Sequence, residues 1–110
     1  MRYEAFVQGV TDAEVAGPGT APSELRKAVM ARAARLASQR SGAPAPAPFG
    51  HYVDKVAQHA YKVTDEDVAA LQKAGNSDDV LFEVTAAAAV GAALGRLERA
   101  MAALQGREDD

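Results

Sequence analysis

Apolar residues recur at helical spacing through most of the chain, and no proline-free segment alternates apolar and polar residues as a strand does. The pattern predicts helices over about residues 2–10, 23–40, 49–60 and 65–74, and a longer one over about 78–105. We therefore expect an all-α fold of about five helices with a long C-terminal helix.

Residues that suit helix ends support these boundaries. Ser23 can cap the second helix, and Ser77 can cap the last. Thr64 followed by Asp67 is close to a capping box for the fourth helix, and Gly75 suits its C-terminal end. The sequence therefore predicts short turns on both sides of the fourth helix.

Proline and glycine divide the chain into a core and its extensions. Residues 1–20 are predicted to form an N-terminal arm that ends in a Gly-Pro-Gly turn. Three prolines alternate with alanine over residues 41–48 and predict a stiff connector. Residues 106–110 are predicted to form a solvated, disordered tail. At this length we expect a single domain over residues 1–110.

The last helix carries a stripe of small residues at four-residue spacing. Ala87, Gly91 and Gly95 lie on one side of it, where they allow another helix to approach closely. Glycine inside a helix costs about 1 kcal/mol relative to alanine, so two of them need a compensating contact. The crossing helix belongs to the same chain or to another copy. We predict that the chain assembles through this face as a homo-oligomer.

Composition limits the chemistry that the chain can perform. With no cysteine, it has no disulfide, no thiolate nucleophile and no cysteine-based metal site. Its net charge of −3 disfavours nucleic acid and anionic membranes as partners. Arg26, Arg32, Arg35 and Arg40 are interspersed with alanine and predict a solvated helix face. The apolar run 86–94 is too short to span a membrane, so we expect a cytoplasmic protein.

The segment from Val68 to Glu83 carries the pattern Val-x-x-Leu-x-x-Ala-Gly-x-Ser-x-Asp-x-x-Phe-Glu. This pattern resembles AhpD-like and carboxymuconolactone-decarboxylase-like proteins, in which it covers the helix after the active-site motif, a turn and the next long helix. With the alanine-rich continuation, the resemblance covers roughly residues 50–104. It implies an AhpD-like helical bundle and a homo-oligomer, commonly trimeric or hexameric in such proteins.

The resemblance also shows what this chain lacks. Redox members of the family carry Cys-x-x-Cys-x-x-x-His before this segment, and the three positions fall here on Ala60, Val63 and Asp67. The family's active-site glutamate falls near Pro48. Disulfide exchange and peroxide reduction need a thiolate and cannot operate here. The leading hypothesis is a non-redox accessory or interaction protein, without a cofactor, that binds a protein or a small molecule.

We call the three positions Ala60, Val63 and Asp67 the vacated motif. The candidate catalytic residues lie in or beside it and are His59, Tyr61 and Asp67. A histidine beside a carboxylate can act as a general acid or base, so the alternative is a cysteine-independent enzyme such as a decarboxylase acting on a lactone or organic acid. The structural interpretation is that Asp67 caps a helix, His59 lies on the surface and Tyr61 is partly buried. His51, eight residues from His59, is about 12 Å away along a helix, and we expect no metal site.

Overall fold

The computed structural model describes residues 2–17 and 19–109, with Arg2 and residues 107–109 described by their backbone only. The described residues form five α-helices and no strand. The helices are α1 (Arg2–Ala16), α2 (Ser23–Ala37), α3 (Gly50–His59), α4 (Asp65–Lys73) and α5 (Asp78–Asp109), with a 3-10 turn (Ala60–Lys62) between α3 and α4. The predicted all-α fold with a long C-terminal helix is confirmed.

The core forms where α5 lies against α2. A Cβ atom added to Gly91 would overlap the backbone carbonyl of Met30, and one added to Gly95 would overlap that of Ala34. Ala87, one turn earlier, is fully buried. Because these contacts advance along both helices in the same sense, α2 and α5 run in the same direction with their backbones in direct contact.

This packing shows whether the helix that crosses the small-residue stripe belongs to the same chain or to another copy. The stripe of Ala87, Gly91 and Gly95 is covered by α2 of the same chain. The assembly surface that the sequence predicted is therefore already occupied within the chain, because its small residues leave space for one backbone only. Assembly itself stays a prediction, and it requires a different surface.

Helix α3 packs across the α2–α5 pair and completes the core. Val53 of α3, Val29 of α2 and Val84 of α5 are the largest side chains that are fully buried. At the edge of this cluster the hydroxyl groups of Tyr52 and Thr85 share a hydrogen bond of 2.7 Å. All three helices thus contribute a central valine, and a polar contact closes the seam between α3 and α5.

The prediction of a solvated arginine face is wrong for two of its four members. Arg26 is only 7% exposed. The guanidinium of Arg32 donates to both carboxylate oxygens of Asp54, at 3.0 and 3.1 Å, and ties α2 to α3. Arg40 pairs with Glu98 at 3.0 Å on the surface. The helical spacing placed Arg26, Arg32 and Arg35 on α2 correctly but could not show that other helices cover it, and Arg40 lies beyond the end of α2 at Ala37.

The connector over residues 41–48 packs against the core. Ala45 is 5% exposed and belongs to the buried apolar cluster. The Arg32 guanidinium donates to the carbonyl of Gly42 at 3.0 Å, which fixes the beginning of the connector on α2. The alternating prolines therefore shape an extended segment that the rest of the fold holds in place.

The N-terminal arm is a longer helix than predicted, because α1 extends to Ala16. Two hydrogen bonds tie its C-terminal end to the start of α2. The Ser23 hydroxyl donates to the carbonyl of Val15 at 2.7 Å, and the Arg26 guanidinium donates to that of Glu14 at 2.9 Å. The predicted cap at Ser23 is therefore wrong: its hydroxyl satisfies a terminal carbonyl of α1, and no side chain caps α2.

A carboxylate on α5 holds the loop between α1 and α2. Glu83 accepts the backbone N–H of Thr20 at 2.8 and 3.0 Å and that of Ala21 at 2.8 Å. Gly19 makes room for this contact, since a Cβ atom there would overlap the Glu83 carboxylate. Pro18, the middle residue of the predicted Gly-Pro-Gly turn, lies outside the described residues.

The C-terminal helix is longer than the sequence predicted. It continues through Gly106 to Asp109, where a disordered tail was expected, and Asp110 lies outside the described residues. By length and composition its segment Asp78–Gly106 is able to cross a membrane, and 39% of its most apolar window is buried within the fold. The core helix of a soluble protein meets the same criterion, so this observation is weak evidence for a membrane span.

Substituting alanine for Gly91 tests the backbone contact between α5 and α2. Alanine favours the helix by about 1 kcal/mol, but its Cβ atom must displace the carbonyl of Met30. We expect Gly91→Ala to lower the free energy of unfolding by about 1–3 kcal/mol, as overpacked core substitutions do. Urea denaturation followed by circular dichroism measures this change.

Gly106→Ala is the matched control on the same helix. No atom lies within 4 Å of a Cβ atom added there, so only the propensity gain remains. We expect unchanged or slightly higher stability, by up to about 1 kcal/mol. Equal effects of the two substitutions would contradict the packing of α5 on α2.

Candidate functional site

The vacated motif is built around the start of α4. The Thr64 hydroxyl accepts the backbone N–H of Asp67 at 3.2 Å, and the Asp67 carboxylate accepts the backbone N–H of Thr64 at 2.9 Å. The predicted capping box is therefore confirmed. At the other end of α4, Gly75 has a φ of 99°, which a residue with a side chain rarely adopts. Local helix chemistry explains both ends of this element.

Asp67 is also an ion-pair partner. The Lys55 ammonium donates to its carboxylate at 2.8 Å and links α3 to α4. This hydrogen bond, with a smaller contribution from the backbone N–H of Thr64, lowers the pKa of Asp67 below its ordinary value. Asp67 is therefore ionised at neutral pH, and it has no proton to donate as a general acid. One of its two oxygens, Oδ2, accepts both hydrogen bonds, so the same atom caps α4 and ties it to α3.

The other two candidate catalytic residues lie on the surface. His59 is exposed, as the structural interpretation predicted, but Tyr61 is 81% exposed rather than partly buried. Their rings meet edge to face with centroids 6.1 Å apart, and the Lys62 ammonium lies 5.8 Å from the Tyr61 centroid. The structure therefore places His59 next to Tyr61. Neither side chain takes part in the hydrogen bonds of Asp67. No enclosed pocket joins the three among the described residues.

A shallow cleft lies beside this surface, on the exposed side of α3. Its volume is about 240 Å³, and it is lined by His51, Asp54, Lys55, Gln58, His59 and Lys62. The two histidines thus line one cleft. The carboxylate of Asp54 pairs with the guanidinium of Arg32. This contact raises the pKa of Arg32. Within the described part of the chain, no group of three histidine or acidic side chains is placed to hold a metal ion.

A larger apolar groove lies away from the vacated motif. It has a volume of about 570 Å³ and runs between α1, α2 and α5, with Tyr3, Val7, Met30 and Leu94 among its lining residues. The apolar face of α1 was visible in the sequence, but its partners were not. The groove exists because α1 is tied to α2 at its C-terminal end by Ser23 and Arg26, while the rest of α1 leaves a gap.

Comparison with known proteins adds no identification. The chain matches no family model, no curated protein and no solved structure. The resemblance to AhpD-like proteins is therefore a prediction that depends on the residue pattern from Val68 to Glu83.

The pH dependence of stability tests the structural role of Asp67. A pKa that is lowered in the folded state stabilises the fold above the unfolded value, about 3.9, and this contribution is lost as the pH falls through the folded value. We expect Asp67→Asn to be less stable than the natural chain at pH 7. The difference should shrink as the pH falls below about 4, because the unfolded natural chain then binds a proton at Asp67 that the folded chain does not. Thermal unfolding at a series of pH values measures it.

Two further variants make this test specific. Thr64→Ala removes the other half of the capping box and should cost about 1 kcal/mol at pH 7. Asp65→Asn removes a charge from the same first helical turn without touching the box. If Asp65→Asn reproduced the pH dependence of Asp67→Asn, the assignment of the effect to the contacts of Asp67 would be wrong.

Proposed function

We propose that this chain is a non-redox, AhpD-like protein that acts by binding, as an accessory or interaction protein, and that it works as a homo-oligomer. The observation that carries the proposal is the state of the vacated motif. Ala60 is exposed, Val63 is half-buried, and the carboxylate of Asp67 is engaged by Thr64 and Lys55. The residues that replace the thiol chemistry of the family serve the fold.

The alternative of an acid–base enzyme has less support. It needs His59, Tyr61 and Asp67 to converge on a space from which water is excluded. His59 and Tyr61 instead face solvent, and Asp67 is committed to an ion pair between helices. The single feature in its favour is that His51 and His59 line one cleft. That cleft is shallow and open to solvent, which suits a surface contact better than an enclosed reaction.

The outer part of α5 offers a surface for assembly. From Arg99 to Gly106 only Met101 is even partly buried, and Leu104 is 51% exposed. Leu97, Met101 and Leu104 follow one another at spacings of four and three, so they lie on one side of the helix. The partner that we propose is a second copy, because the same stripe on two copies is self-complementary.

We also propose a cytoplasmic location, with α5 as a core helix and no membrane or nucleic-acid partner. The support is that α2 covers the stripe of Ala87, Gly91 and Gly95, so that a lipid cannot reach it. The net charge of −3 agrees with this proposal, since anionic membranes and nucleic acids repel it. The physiological partner is a protein or a small molecule.

Sedimentation analysis at micromolar concentration tests the assembly. We expect the natural chain to sediment as an oligomer and Leu104→Glu to shift it towards the monomer, because a carboxylate in the apolar seam is costly to bury. Ala102→Glu, which adds the same charge at an exposed position of the same helix, should leave the assembly unchanged. Circular dichroism checks that both variants stay folded.

A natural chain that is monomeric at these concentrations would contradict the proposed assembly. An oligomer that Leu104→Glu leaves unchanged would place the interface on another surface, and equal dissociation by both variants would show that it is not confined to the side of Leu104.

A further inference from the structure

The apolar groove between α1, α2 and α5 has the dimensions of a small-molecule site. Its volume of about 570 Å³ falls within the range of roughly 300–1,000 Å³ that is typical of ligand pockets. Met30, Ala31 and Ala34 of α2 form one side, and Leu94 of α5 extends it. Tyr3, Val7 and Thr11 of α1, at four-residue spacing, form the opposite side.

The groove contains one uncompensated charge. Two charged residues line it, Lys27 and Glu98. The carboxylate of Glu98 is paired with Arg40 at 3.0 Å, whereas Lys27 forms no ion pair within residues 2–17 and 19–106. The ammonium of Lys27 is therefore available to an anionic ligand, at one end of an apolar floor.

The geometry points to a binding site for a small amphipathic carboxylate, whose apolar body lies along the groove and whose carboxylate meets Lys27. The floor from Lys27 to Ala34 covers seven residues of helix, or about 10 Å at 1.5 Å per residue. A medium-chain fatty acid fits this length and this single charge. The site is separate from the vacated motif on α3 and α4, and it does not depend on the assembly proposed for α5.

This ligand follows from the lining of the groove. The α2 and α5 sides of the groove are mostly apolar, and Tyr3 and Thr11 on α1 add only two hydroxyl groups, so a sugar or a nucleotide would lose most of its bonds to water without replacement. A neutral hydrocarbon would leave Lys27 unused, and a cationic amphiphile would be repelled by it. A single negative charge attached to an apolar chain satisfies both parts of the site.

Titration with decanoate, kept below its micellar concentration, tests this proposal on the full chain. We expect saturable binding with a Kd on the order of 0.1–1 mM, since a ligand of this size is small. Backbone amide NMR shifts should concentrate at Thr11, Ala31 and Leu94. Decanol and decylammonium at the same concentrations should bind more weakly.

Two pairs of variants locate the two parts of the site. Lys27→Gln should weaken decanoate binding about fivefold, as expected for one solvent-exposed ion pair, whereas Lys73→Gln on α4 should not change it. Ala31→Leu adds bulk to the floor of the groove and should weaken binding at least tenfold. Ala70→Leu is its control, because it makes the same change at an exposed position of α4.

Three results would overturn the inference. The first is the absence of saturable binding, or amide shifts that lie outside the groove. The second is equal affinity for decanoate and decanol, which would remove the role of Lys27. The third is a change in sedimentation of Ala31→Leu without any decanoate binding to the natural chain, which would make the groove a contact between copies.

Discussion

The contact of α5 with the backbone of α2 at Gly91 and Gly95 is the constraint on which the rest of the structure depends. Both glycines face carbonyl groups of α2 so closely that no side chain fits between them. Two helices in such contact exclude water from a strip that has no room even for the methyl group of alanine. The cost of two helical glycines is therefore offset within the chain, and the stripe is removed from the surfaces that another molecule can reach.

Ion pairs between helices add stability to a core that is rich in alanine. Alanine buries little apolar area per residue, so helices packed through alanine gain limited stability from burial. Arg32 with Asp54 joins α2 to α3, and Lys55 with Asp67 joins α3 to α4. In each pair the side chains are partly shielded from solvent, which strengthens the attraction relative to a fully exposed pair.

These connections also determine the surroundings of Asp67 and its neighbours. A carboxylate that accepts hydrogen bonds from Lys55 and from the backbone of Thr64 is stabilised in its charged form. Its exposed neighbours, His59 and Tyr61, have no shielded space in which to act on a substrate. The surfaces that remain uncommitted lie elsewhere, on the outer part of α5 and between α1 and α2. Both are apolar, and the binding function that we propose depends on them.

The sequence by itself determined the elements that depend on neighbouring residues. The five helices, the capping box of Thr64 and Asp67, the cap at Ser77 and the turn at Gly75 all follow from local spacing and side-chain chemistry. The close approach of a helix to the stripe at Gly91 also followed, because paired glycines in a helix need a reason. The cap predicted at Ser23 failed because its hydroxyl found a partner outside its own helix.

The tertiary structure alone decided which partners these residues meet. Glu83 holds a loop 63 residues away, and Arg32 pairs with a carboxylate 22 residues away. Arg26 is buried by neighbouring elements that its own spacing does not reveal. Periodicity defines the faces of one helix, but burial and charge pairing depend on how several helices are arranged. For this reason the sequence located the vacated motif, whereas the groove along α2 emerged only from the fold.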